Sequence, residues 1–154
     1  MMKRTEPIIS QMRKDLPDPG GEIRALVDGL QVRLKLSDWD RLGCLLERLE
    51  IRNPRGGAFG LDAARIEAKV TYLGEPLAVI EAEEGKKTIL RSAPPRRDGE
   101  EVCFFEMVLD RSKGLSLVRY AFDRLRGERS IVSAPLTIST LDRLLTDLLT
   151  LAEN

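Results

Sequence analysis

From residue 66 to residue 138 the chain is a succession of short apolar segments separated by breaks too short to hold a crossover helix. The segments are 66–73, 77–82, 88–92, 102–109, 115–122 and 131–138. The breaks are rich in Gly, Pro or charge, as in Gly74-Glu75-Pro76 and Asp110-Arg111-Ser112-Lys113-Gly114. Parallel neighbours need a connection of a dozen or more residues, whereas antiparallel neighbours can be joined by a tight turn. The pattern therefore predicts an antiparallel meander. Upstream, 23–27 and 30–36 flank Asp28-Gly29, a pair suited to a two-residue turn with positive φ at both positions. In the second of these segments Leu30, Val32, Leu34 and Leu36 alternate with Gln31, Arg33 and Lys35, the period of a strand dry on one side and wet on the other.

One phrase occurs twice, as Leu34-Lys35-Leu36-Ser37-Asp38-Trp39-Asp40-Arg41-Leu42 and as Leu136-Thr137-Ile138-Ser139-Thr140-Leu141-Asp142-Arg143-Leu144. Both copies read as a strand running into a capped helix. Ser37 with Asp40 three residues on has the form of a capping box, and Trp39, Leu42, Leu45, Leu46 and Leu49 follow at helical spacing. Ser139 or Thr140 would cap the second helix, with Leu141, Leu144, Leu145, Leu148 and Leu151 as its apolar side. The expected fold is α+β. A curved, meander-like antiparallel sheet of six to eight strands carries two pseudo-equivalent helices on one face, in strand-helix units at 30–50 and 131–153. Strand-and-helix repeats of this plan resemble single-strand-binding folds of the PUR and Whirly type, although none of their sequence motifs occurs here.

With 154 residues, the chain is the size of one domain, expected at 22–154. Residues 1–21 read as a flexible leader ending in Pro17-Asp18-Pro19-Gly20-Gly21. Within it Thr5, Pro7, Ile8, Ile9 and Met12 suit a short helix acting as a flap or a docking segment. The leader lacks the apolar run of a signal peptide and no stretch reaches the length of a membrane span, so the expected location is cytoplasmic, with no membrane partner. Asn and Gln are scarce and Arg and Glu abundant, a thermophile-like composition.

Histidine is absent. That removes Ser-His-Asp triads, Cys-His dyads and the common zinc sites, and the expectation is a non-catalytic protein without metal or cofactor. Cys44 and Cys103 sit among apolar neighbours and read as buried thiols. Arg55-Gly56-Gly57-Ala58-Phe59-Gly60 lacks the Lys-Ser or Lys-Thr of a phosphate loop and leaves a loop with an exposed-looking aromatic.

The 25 basic and 25 acidic residues cancel, so a charged partner would have to be met by a local patch. The segment 111–130 supplies one, with Arg111, Lys113, Arg119, Arg124, Arg126 and Arg129 against Asp123 and Glu128. Alternation would expose Arg33, Lys35, Lys69 and Arg119 on a wet sheet face, with Phe104 opposite the apolar series Cys103, Phe105, Met107 and Leu109. Arginines around an aromatic on an open sheet can hold a single strand of DNA or RNA, by phosphate pairing and base stacking. The candidate binding residues are then Arg33, Lys35, Lys69, Phe104, Arg119, Arg111, Arg124, Arg126, Arg129, Arg55 and Phe59. The alternative is an assembly subunit, a homodimer through the same face by way of Val102, Phe104 and Val108.

Overall fold

A computed structural model describes residues 4–14, 21–56, 59–83 and 86–152. In chain order the elements are α1 (Glu6–Lys14), β1 (Glu22–Val27), β2 (Leu30–Trp39), β3 (Gly43–Arg52), α2 (Ala63–Lys69), β4 (Leu77–Glu83), β5 (Lys87–Ser92), β6 (Arg96–Asp98), β7 (Glu101–Asp110), β8 (Gly114–Asp123), β9 (Glu128–Val132), β10 (Ala134–Thr137) and α3 (Ile138–Ala152). The fold is α+β, with ten antiparallel strands in one open sheet and three helices among the described residues.

Local turn chemistry builds the first meander. Asp28 and Gly29 take φ values of 50° and 83° and close β1 on β2, from Val27↔Leu30 to Glu22↔Lys35. The β2–β3 turn is closed by Asp40, whose side chain accepts from the backbone N–H of Leu42 (2.8 Å) and Gly43 (2.9 Å). Those two bonds hold the Asp40 carboxyl below its usual range. A second meander runs β4, β5, β7, β8, and β3 joins it by pairing with β8 at Leu49↔Leu117 to Ile51↔Leu115. The β9–β10 ribbon enters where β3 and β8 part. β9 pairs β8 at Val132↔Arg119, and β10 pairs β3 at Ala134↔Leu46.

The expected helix over 37–51 is instead the end of β2, a turn and β3. The register of β2 on β3 shifts at Glu47 and again at Ser37, moving from Lys35↔Arg48 to Leu36↔Leu46 to Asp38↔Leu45. The bulge at Glu47 places Leu46 and Leu49, three residues apart, on the same buried side, which imitates a helical stripe. The twice-occurring phrase is therefore strand-turn-strand in one place and strand-into-helix in the other, and the two copies are not equivalents. The first half of the expected strand over 66–73 is instead the end of α2, a helix started by the Asp62 side chain accepting from Ala64 N–H at 2.9 Å. The 93–99 break carries a further short strand, β6, paired with β7. The last helix begins at Ile138, ahead of the expected cap at Ser139 or Thr140, and the Thr137 hydroxyl accepts from Thr140 N–H at 3.0 Å.

All three helices share one core with one face of the sheet. Ile8, Ile9 and Met12 of α1, Ile66 of α2 and the leucines of α3 pack on Leu34, Leu49, Met107 and Leu117. Helix α1 is thus core rather than a flap, and the indole N–H of Trp39 holds it by donating to Met12 O at 2.9 Å. The rest of the leader, 1–3 and 15–20, lies outside the described residues. Among the described residues no helix is long and apolar enough to cross a membrane.

The junction of the two meanders rests on Gly114. Its φ is 110°, and a Cβ there would lie 2.3 Å from Ile51 O and 2.9 Å from Arg52 Cα. Gly114→Ala is expected to destabilise the fold by about 3 kcal/mol or more, as backbone strain and a backbone clash combine. Urea unfolding followed by circular dichroism checks this, and a change within about 0.5 kcal/mol would refute the close approach.

Candidate binding face of the sheet

Strand parity gives β7 and β8 two different faces. Register pairs Phe105↔Arg119, Met107↔Leu117 and Leu109↔Leu115 on the helix side, and Val102↔Phe122, Phe104↔Tyr120, Glu106↔Val118 and Val108↔Ser116 on the outer side. The first set belongs to the core shared with the helices, whereas Phe104 and Val118 are buried without belonging to it.

On the outer side four strands build one cluster. Glu106 is almost fully buried, and its carboxylate accepts from Arg91 Nη2 of β5 at 2.8 Å and faces Arg129 Nη1 of β9 at 3.7 Å. Each arginine lies on a ring: Arg91 is 4.7 Å from the Phe104 centroid and Arg129 is 4.0 Å from that of Tyr120. The two rings are themselves 5.9 Å apart, tilted at 43°. Stacking of this kind contributes about 0.5–1 kcal/mol per pair at partly exposed sites and fixes the planes of the guanidinium groups. One carboxylate against two guanidinium groups leaves the cluster with a surplus positive charge.

Beside the cluster runs a groove of about 730 Å³ lined by Ile80, Val102, Phe104 and Phe122, with Arg91, Arg124 and Arg129 as its charged groups. Ile80 and Phe122 remain 47% and 36% exposed, and Ile131, opposite Tyr120 on β9, 45%. No helix among the described residues covers this face, so these large side chains stay open to solvent together.

The outer face of β1–β3 is different in kind. Arg24 and Arg33 stand directly opposite, and the Glu22 carboxylate between them accepts from both, Arg24 Nε at 3.0 Å and Arg33 Nε more closely. Those two bonds hold the Glu22 carboxyl below its usual range. Lys35 pairs with Glu47 at 3.6 Å and Arg48 with Glu50 at 3.8 Å. Carboxylates there interleave with the bases.

The residues singled out in the sequence are therefore dispersed. Phe104, Arg124 and Arg129 meet at the groove, and Arg33 and Lys35 lie on the outer face but in the interleaved half. Arg119 is not on the wet face. It is directed to the helix side, where its guanidinium stacks on Phe105 at 4.6 Å and bonds both oxygens of Glu75 at 3.2 and 3.3 Å, leaving its side chain 12% exposed. Lys69 closes the last turn of α2 rather than a strand. Phe59 is buried in the core, its N–H donating to Arg111 O at 2.8 Å, and Arg55 is in the exposed turn after β3. Arg111 stands at the β7–β8 turn, and Arg124 and Arg126 at the opposite end of β8, so the basic segment is drawn out over about 30 Å of strand. Sequence reasoning missed Arg91, Glu106, Tyr120 and Phe122. Their signal was the second apolar parity of 102–108 and 116–122, meaningful only once the register is known.

Among the described residues no three or more Cys, Asp and Glu gather where they could hold a metal. Cys44 lies in the buried layer beside Trp39, its cross-strand partner. Burial pushes its thiol up to about 11 from 9.0. At pH 8 about one molecule in a thousand then carries the thiolate. Native protein treated with iodoacetamide at pH 8 is expected to show Cys44 unmodified by mass spectrometry while urea-unfolded protein alkylates fully; rapid native alkylation would contradict this burial. No family model, no curated protein and no solved structure matches the chain.

Proposed function

We propose that this protein is a non-catalytic binding subunit that receives a segment of a protein partner on the outer face of β5, β7, β8 and β9. The observation that carries this reading is the groove itself: apolar, uncovered, and flanked by arginines whose planes are fixed on Phe104 and Tyr120. Interface cores favour this composition, with aromatic residues and Arg enriched and other charges few.

The single-strand DNA or RNA reading shares the same face but relied on Phe104 as a stacking ring and on Arg119 as a phosphate contact. Phe104 is 9% exposed beneath Arg91, and Arg119 faces the helices. Phe122, with Arg124 and Arg129 nearby, is what remains to that reading.

Selection of a displayed random peptide library on the intact protein separates the two. Enriched peptides are expected to bind with micromolar affinity and to lose at least about tenfold on Phe122→Glu, a change at a side chain already partly in water. A library that yields nothing dependent on Phe122, together with labelled single-stranded oligonucleotides whose binding falls steeply with added salt, would give the face to nucleic acid instead.

A further inference from the structure

We infer that the segment received in this groove is acidic as well as apolar, placing apolar side chains against Phe122 and its neighbours and carboxylates against Arg97, Arg124 and Arg129. The inference rests on the protein-binding reading of the outer face and adds the partner's chemistry.

Three observations carry it. Among the described residues every charged side chain lining the groove is an arginine. Glu106, the carboxylate of the cluster beside it, is buried and already engaged by Arg91 and Arg129, so it is not offered to a visiting cation. Arg124 and Arg97, the latter opposite Val102 in the β6–β7 register and so on the same face, have no carboxylate partner among the described residues. This sets the groove apart from the β1–β3 half of the sheet, where Arg24, Arg33, Lys35 and Arg48 each face a glutamate and, among the described residues, Arg52 at the end of β3 is the base of those strands that does not.

The chain is neutral overall, so the attraction is local and acts at docking range. Guanidinium groups accept a carboxylate through two parallel hydrogen bonds, which rewards an acidic side chain at a fixed position over a diffuse negative charge. A second copy of this chain, docked with its own groove over this one, would set arginine against arginine, a juxtaposition that disfavours self-association there.

The test uses three labelled twelve-residue peptides identical in their leucines and in one proline that blocks self-assembly, differing only in whether Glu, Gln or Lys fills the intervening positions. Fluorescence anisotropy at low salt is expected to rank Glu over Gln by at least about tenfold, with Lys weakest, and the advantage should shrink in high salt. Arg97→Glu combined with Arg124→Glu should reverse the ranking toward the Lys peptide with an unchanged unfolding midpoint. The alanine pair should remove the advantage without reversing it.

Equal binding of the Glu and Gln peptides would overturn the acidic partner while leaving the face reading in place. Binding of all three that ignores Phe122→Glu would remove the face reading beneath it. A single-stranded oligonucleotide displacing the Glu peptide would overturn the inference in favour of phosphate. A dimer by light scattering that Phe122→Glu dissociates would overturn it in favour of self-association. The absence of measurable binding by any peptide would overturn it outright.

Discussion

The ten-residue register of β7 on β8, unbroken from Glu101↔Asp123 to Asp110↔Gly114, is the constraint on which the rest depends. A β-strand places successive residues on opposite faces, so a slip of one position would exchange the faces entirely. Met107 would face water and Glu106 would enter the leucine layer beneath α3. The pairing also splits the arginines. It puts Arg119 on the helix side against Glu75, sends Arg111 to one end of the strand and Arg124 to the other, and leaves Arg129 to reach the outer cluster from β9.

The outer face therefore has two halves with different physics. Over β1–β3 the charges are interleaved and satisfy one another, which keeps the surface wet and gives a partner little to desolvate. Over β5–β9 the carboxylate is buried under two guanidinium groups stacked on rings, and the large side chains beside them stay open. Surface ion pairs of the first kind contribute little to stability or binding, whereas a preorganised apolar groove with directional donors is how a polypeptide segment is held. The neutrality of the whole chain conceals this division, because the surplus of arginine at the groove is cancelled in the sum by carboxylates elsewhere in the chain.

Much of the architecture was legible before the structure. Asp28-Gly29 marked its hairpin, the strands over 102–109 and 115–122 followed from alternation, and the leucines of α3 lie where their spacing puts them. What was hidden has physical causes. The bulge at Glu47 gives a strand the spacing of a helix, and Asp40 favours a turn where a capping box would start one. Ile66 belongs to a helix only because Asp62 caps it. Arg119 shares the parity of Leu115 and Leu117, and its carboxylate partner is 44 residues away in sequence, so charge alone misplaced it. The Arg91–Glu106–Arg129 cluster draws on three strands and is visible only through their registers.

We propose that a partner binds the outer face over β7 and β8 and no helical surface. Isotope-labelled protein titrated with a peptide enriched on it reports this directly through changes in backbone and aromatic resonances. Val102, Phe104, Tyr120, Phe122 and Ile131 are expected to shift while the exposed positions of α2 and α3 do not. Shifts gathered on those helices, or on the interleaved face of β1–β3 with the groove unmoved, would contradict it.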